Sequence, residues 1–390
     1  MFTILQGGRV FSPLDLGIKD LVLTAGIIGN IAEHILPVPD YGEVEIVDVR
    51  GKYVVPGFID QHVHLIGGGG EGGFATRTPE VVLSQITMAG ITTVVGCLGT
   101  DAVTRQGASL LAKARGLEEE GISSYIYTGA YEVPTCTITG NVRQDIVLID
   151  KVIGCGEVAI SDHRSAEPTK EEIAKLAAEA RVGGILSGKA GVLHLHVGDG
   201  KRRLSLLFAV LDETDIPITQ LTPTHLNRNG PLLEDAIRFA QKGGMIDFTA
   251  GEKPLFWSSS SLKPAEAIQY CLAQGVNIEQ ITMSSDGNGS MPSYNAKGQL
   301  KGLRVADLSS LHSEFKAIVH EAGIELSEAL KVLTLNPARS LRLYPRKGML
   351  QPGSDADVLV LDSDLNIDSV FAKGRCLVRN GQPLLKGTFE

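Results

Sequence analysis

Cysteine is scarce and shows no paired spacing. The chain has five, Cys97, Cys136, Cys155, Cys271 and Cys376, an odd number with no C-x-x-C pair. This excludes a disulfide framework and an all-cysteine zinc site, and it fits buried thiols in a reducing cytoplasm. Polybasic runs are missing too. The 36 basic side chains stand against 45 acidic ones, a formal net charge of -9. Neither nucleic acid nor an anionic membrane surface is an expected partner. There is no long apolar run. The uncharged stretch Val81–Thr100 contains four Thr and three Gly and is too polar to span a bilayer. Met1-Phe2-Thr3-Ile4-Leu5 has no basic residue ahead of an apolar segment, so no signal peptide is expected and the expected location is cytoplasmic. Repeats of fixed period and low-complexity tracts are also lacking.

What is present is a regular alternation of strand and helix signals. Apolar strand-like runs occur at Val54–His62, Ile91–Leu98, Ser123–Tyr131, Glu157–Asp162, Val192–Val197, Leu221–His225, Met245–Thr249 and Ile281–Ser285. Helical spacing falls between them at Pro79–Ala89, Ala102–Glu120, Val142–Ile153, Glu171–Val182, Leu204–Glu213, Pro231–Lys242 and Pro264–Ala273, and after the last at Val305–Ala322. Eight β-then-α units in series predict an α/β fold, a (β/α)8 barrel, with an open doubly wound sheet as the runner-up. Both chain ends read differently. Thr3–Val10, Leu21–Thr24, Ile27–Ala32 and Val44–Val49 are short strand signals, as are Ala356–Leu361, Ser369–Ala372 and Arg375–Val378. Two β-rich ends around a barrel predict a small β-sandwich-like domain, 1–55 plus 345–390, flanking a barrel at 56–344, with helical Ser327–Tyr344 leading back to it. Ser258–Ser261 lies in an expected rim loop, Gly251–Leu262.

Residues with chemistry gather at the strand ends. Gln61-His62-Val63-His64 closes the first barrel strand, and side chains two apart on a strand share a face. His196 closes the fifth strand, His225 the sixth, and Asp286 follows the eighth, while Glu157 opens the fourth beside Gly154-Cys155-Gly156. Barrel enzymes build their sites on this rim, and imidazoles with carboxylates suit a pair of Zn²⁺ or similar ions. His194 shares a face with His196 one layer deeper, which suits the core, and His34, His163, His312 and His320 fall away from the strand ends. Glu71, in Gly67-Gly68-Gly69-Gly70-Glu71, offers an anion for an ammonium, and Arg164 and Arg228 offer forks for carboxylates. The same rim carries Thr100, Tyr131 and Ser290. Two cations and one anion around a metal rim suit a small substrate with carboxylates and a free amine.

Phe58-Ile59-Asp60-Gln61-His62-Val63-His64 and Gly353-Ser354-Asp355-Ala356-Asp357-Val358 resemble the amidohydrolase superfamily. Gly67–Glu71, Asp162-His163-Arg164-Ser165 and Thr224-His225-Leu226-Asn227-Arg228-Asn229 are similar to its isoaspartyl (β-aspartyl) dipeptidase family over nearly the whole chain. The resemblance implies a two-zinc peptidase of homo-octameric assembly that cleaves isoaspartyl dipeptides with a water activated between the ions. It further implies His62, His64 and Asp286 on one ion and His196 and His225 on the other, with Asp286 as base and Tyr131 as oxyanion donor. Substrate contacts are implied at Gly69, Gly70, Glu71, Thr100, Tyr131, Arg164, Arg228 and Ser290. One departure stands out: where the family bridges its ions with a carboxylated lysine, this sequence has Glu157, and a direct Glu157 bridge is expected. Another binuclear amidohydrolase, dihydropyrimidinase- or deacylase-like, and a non-catalytic amidohydrolase paralogue are the alternatives.

Overall fold

The structure, a computed structural model, describes residues 2–36, 43–251, 262–294 and 300–390. Residues 252–261 of the expected rim loop, Ser258–Ser261 among them, lie outside these residues. The N-terminal part forms β1 (Phe2–Phe11), β2 (Asp15–Thr24), β3 (Ile27–Ala32), β4 (Val44–Asp48) and β5 (Tyr53–Pro56). The barrel strands follow as β6 (Phe58–Val63), β7 (Ile91–Gly96), β8 (Ser123–Thr128), β9 (Val152–Ile160), β10 (Val192–Val197), β11 (Leu221–Thr224), β12 (Ile246–Thr249) and β13 (Ile281–Ser284). These match the eight expected positions, with two instructive differences. The run read as Val54–His62 is two strands, because the chain changes sheets at Gly57. There β5 pairs with β1 and β6 pairs with β7. A Cβ at residue 57 would overlap Thr92, so glycine permits the crossing. The fourth barrel strand begins at Val152, not at Glu157: α3 ends at Leu148, short of the expected Ile153, and Gly154 and Gly156 are strand residues.

The intervening helices are α1 (Leu83–Met88), α2 (Gly107–Glu120), α3 (Val142–Leu148), α4 (Lys170–Ser187), α5 (Ser205–Glu213), α6 (Gly230–Gln241) and α7 (Pro264–Ala273). Helix α4 shows why they form. Thr169 accepts from the Glu172 backbone N–H while Glu172 reaches back to Thr169, Gly188 ends the helix at φ +70°, and Ile173, Leu176, Ala177 and Ala180 make one buried stripe. No helix among the described residues is long and apolar enough to cross a membrane.

Strands β6 to β11 form a continuous parallel ladder, and β12 pairs with β13. Two junctions complete the ring. Leu226 donates its N–H to the Asp247 carbonyl at 3.2 Å, and His64 donates to Gly287 at 2.9 Å. Asp247 is buried on β12 and ties this part of the ring together. Its carboxylate accepts from Gln61 of β6 (2.7 Å), Thr224 of β11 (2.5 Å), and Thr282 (2.7 Å) and Ser284 (2.6 Å) of β13. Asp247→Ala takes away the acceptor these buried donors share and leaves Thr224 and Ser284 without the carboxylate, so unfolding free energy should fall by roughly 3 kcal/mol. Chemical denaturation measures this, and a loss below about 1 kcal/mol would mean that the donors find other partners.

Beyond the barrel come the hairpin β14 (Ser290–Tyr294) and β15 (Leu300–Val305), then α8 (Ser309–His320), α9 (Leu326–Leu333) and α10 (Leu335–Ser340). Val305, expected to open a helix, instead ends the hairpin. The C-terminal strands β16 (Val358–Leu361), β17 (Ile367–Ala372), β18 (Arg375–Arg379) and β19 (Gln382–Pro383) join the N-terminal ones through the antiparallel pair β16–β5. The resulting nine-stranded sheet brings Leu5, Leu21 and Leu23 into one core with Val358, Val360 and Phe371. Leu359, Leu361 and Val370 belong instead to the core shared with the barrel. Period-two alternation along β16 therefore serves both cores.

Candidate active site

The C-terminal ends of β6, β9, β10, β11 and β13 converge on one buried cluster. His62 is the last residue but one of β6 and His64 follows the strand; both are buried, with ring centroids 5.5 Å apart. Nδ1 of His62 lies 2.8 Å from Nε2 of His194, whose own Nδ1 lies 3.2 Å from the Thr222 hydroxyl. His194 thus supports His62 from one layer deeper. His225 follows β11 with φ +65°, and Asp286 follows β13 with φ +51°. The left-handed backbone costs each roughly 1–2 kcal/mol, and two such turns at one site mark it as built by its surroundings. Nδ1 of His225 is fixed 2.6 Å from the Thr249 hydroxyl.

Glu157 stands in the middle of these imidazoles. Its Oε2 is 3.1 Å from His196, 3.4 Å from His62 and 3.7 Å from His225, and its Oε1 is 3.5 Å from His64. Asp286 Oδ1 lies 3.1 Å from His64 Nε2 and 3.5 Å from His62 Nε2. Burial pushes the Glu157 carboxyl up, but the His62 charge, the His196 hydrogen bond and the close approach of His225 and His62 outweigh it and hold it well below the usual range. Asp286 behaves alike: burial raises it, and the His64 hydrogen bond with the charges of His225, His62 and His64 keeps it ionised. Asp60, below the rim, shows burial prevailing. Its carboxyl is pushed up to about 6 despite hydrogen bonds from Ser285 and the His62 backbone. Burial and the neighbouring His62 hold His194 down to about 3, hence neutral.

The cluster suits divalent ions. Among the described residues, Nε2 of His62 and of His225 are buried without a hydrogen-bond partner, an arrangement that costs free energy unless a ligand takes the lone pair. Donor atoms of His62, His64, Cys97 and Glu157 lie within 4.8 Å of one another, as do those of Glu157, His196 and His225, so Glu157 is common to both groups. Lys151 is not within reach as a source of a bridging carbamate, because it pairs with Glu118 and sits over the Tyr125 ring.

Above the cluster opens a cavity of about 420 Å³. Glu71, Thr100, Tyr131, Arg164, Arg228, Asp286 and Ser290 line it together with Gly69, whereas Gly70 does not. Gly69 has φ +74°, and a Cβ there would press on the Thr76 carbonyl at 2.6 Å and on Ser290 at 2.8 Å. The Tyr131 hydroxyl lies 2.7 Å from Nδ1 of His196, and burial holds its pKa well above the usual range, so it remains a donor. Glu71 accepts from Thr100 at 3.1 Å and from Arg164 at 3.3 Å. Two groups that sequence reasoning did not single out complete the site. Asp162 accepts from Arg164 at 2.8 and 2.9 Å, touches His196 at 3.0 Å and lies 3.9 Å from Arg228. Its place two residues past β9 was the available signal. Cys97, read as a plain buried thiol, is the other.

An eight-stranded parallel ring with histidines and carboxylates on its C-terminal rim defines a metal-dependent hydrolase barrel, and residues 53–377 match the amidohydrolase family. The chain belongs to that family. Within it, the chain is 44% identical, with a TM-score of 0.91 over 98% of this chain and 97% of the other, to the β-aspartyl dipeptidase of the thermophile Fervidobacterium islandicum AW-1, whose crystal structure contains β-Asp-Leu. More remote similarity reaches a dihydroorotase of Pelotomaculum thermopropionicum, 27% identical over 99% of this chain and 96% of that one. An adenine deaminase of Petrotoga mobilis is 25% identical over 94% of this chain, which spans 56% of that longer protein.

Proposed function

We propose that the protein is a two-zinc peptidase that cleaves β-aspartyl dipeptides. The observation that carries this is the charge layout of one cavity: paired donor groups sharing Glu157 at its base, and Glu71, Arg164 and Arg228 around its mouth. The barrel (56–344) does the chemistry and the terminal module (1–55 plus 345–390) braces it. His62, His64 and Asp286 would hold one ion and His196 and His225 the other, with Glu157 as the carboxylate common to both groups. Bound ions supply Lewis acidity, lowering the pKa of water toward about 7 and polarising the scissile carbonyl.

The chain's own residues do the rest. Asp286 accepts the proton of the attacking water and returns it to the leaving amine. The Tyr131 hydroxyl donates to the carbonyl oxygen as charge develops there. Glu71 exchanges its Arg164 and Thr100 contacts for the substrate ammonium. Arg164 and Arg228 take the carboxylates, with Thr100, Ser290 and the backbone of Gly69 fixing the substrate between them. A β-linked aspartyl unit presents a free α-ammonium and α-carboxylate beside the scissile amide, the pattern these charges complement; an α-linked peptide moves the carboxylate away.

The test is hydrolysis of β-Asp-Leu and α-Asp-Leu alongside the metal content of the purified protein. Two metals per chain with cleavage of the β-linked peptide alone is expected. Turnover of dihydroorotate or a hydantoin in its place would overturn the substrate assignment. Arg228→Met should raise KM, lowering kcat/KM by roughly 100-fold, about 3 kcal/mol, through loss of a charge-assisted contact, while kcat changes far less. Steady-state kinetics on β-Asp-Leu separates the two, and an unchanged KM places the carboxylate elsewhere.

A further inference from the structure

Cys97 follows β7 by one residue and is fully buried. The apolar residues Ile59, Val95 and Tyr127 share its cluster. Its polar surroundings are different in kind. Its donor atom lies within 4.8 Å of those of His62, His64 and Glu157, and Sγ is 4.0 Å from Nδ1 of His64. The Val63 carbonyl, 3.7 Å from Sγ, is a weak partner for a thiol. Nε2 of His62, in the same donor group, is buried and without a partner. The other fully buried cysteines, Cys155 and Cys271, sit in the apolar core and belong to no such group. Two imidazoles, one carboxylate and one thiolate are all donors of the kinds that Zn²⁺ binds.

We propose that Cys97 is a ligand of the metal ion held by His62 and His64, giving this centre a sulfur donor beside the Glu157 carboxylate. The inference rests on reading the cluster as a metal centre and adds to it a residue that the substrate assignment does not need. It also makes physical sense of Glu157. A glutamate side chain reaches less far than a lysine carbamate and presents the same carboxylate. An ion held by the shorter Glu157 side chain would have Cys97 within reach as a further anionic donor. Together Glu157, Asp286 and Cys97 bring three negative charges to two dications. A thiolate also selects softer ions, so Zn²⁺ and Co²⁺ should be favoured over Mn²⁺ and Mg²⁺ beyond the ordinary affinity order.

X-ray absorption at the zinc edge tests this on the unsubstituted, zinc-loaded protein. A sulfur scatterer at about 2.3 Å is expected; a shell of nitrogen and oxygen alone at about 2.0–2.1 Å overturns the proposal. Reconstitution with Co²⁺ gives a second readout. The parent should show a sulfur-to-cobalt charge-transfer band in the near ultraviolet, and Cys97→Ser should lose it while keeping the visible cobalt bands. Affinity for the first ion should fall in Cys97→Ser by at least the roughly 10- to 100-fold seen when a supporting partner of a metal ligand is removed. A band that survives in Cys97→Ser overturns the assignment. Neither spectrum depends on turnover, so a sulfur ligand in a protein that fails to cleave β-Asp-Leu would sink the substrate assignment and leave this one standing.

Discussion

Asp286→Asn is expected to lower kcat on β-Asp-Leu by roughly a thousandfold or more, with KM and metal content nearly unchanged. The carboxylate lines the cavity, with its side chain 17% exposed, and its Oδ1 lies 3.1 Å from His64. It is held ionised at neutral pH, because the hydrogen bond and charges of the surrounding imidazoles outweigh its burial. A base in that state accepts a proton from water at once, and an amide oxygen of the same shape does not. His62, His64 and Glu157 remain in the variant, so the nearby ion keeps most of its donors. The left-handed turn at φ +51° also tolerates the change, since Asn adopts that conformation more readily than most residues. Steady-state kinetics with metal analysis of the same sample decides the matter. Near-normal turnover with both metals present would transfer the role of base to another group.

Much of the fold was legible because the barrel repeats one pattern eight times. Each strand is buried on both faces and so reads as a short apolar run, and the rim histidines stand out because each falls where such a run stops. The failures have local causes. The start of β9 is hidden in the sequence because helical spacing runs on to Ile153 and two glycines precede Glu157, yet in the strand those glycines give room: a Cβ on Gly154 would press on the Val192 carbonyl at 2.7 Å, and one on Gly156 on the His194 side chain at 2.8 Å. The hairpin β14–β15 was missed because Ser290-Met291-Pro292-Ser293 carries no alternation, and a proline inside a run argues against a strand. Cys97 was not legible at all. Its meaning comes from distances to His62, His64 and Glu157, residues on two other strands, and a single cysteine beyond an apolar run looks like packing. Asp162 is hidden in a similar way, since its partners Arg164, His196 and Arg228 come from three different strand ends.

Glu157→Gln carries the other large expectation, because it keeps the side chain's size and removes only its charge. The carboxylate is 1% exposed and its charged neighbours in the cluster are imidazoles, not a lysine or arginine. A buried anion so placed is stable only if cations complete the set. On the two-metal proposal, two bound ions would supply that charge, and binding them would stabilise the fold by mass action, about 4 kcal/mol when free metal exceeds Kd a thousandfold. Removing metal with a chelator should therefore lower the parent's stability by several kcal/mol. The neutral amide offers neither ion an anionic bridge. The variant should hold at most one metal per chain, lose roughly 100-fold or more in kcat, and show a much smaller stability difference between metal-replete and chelated samples. Reconstitution of the parent should proceed without bicarbonate, because Glu157 is itself the carboxylate that a lysine acquires only by reaction with carbon dioxide. If Glu157→Gln kept two metals and the full chelator-sensitive stability, the bridge would have to lie elsewhere, and the four close approaches of Glu157 to His62, His64, His196 and His225 would be those of a counter-ion to protonated imidazoles.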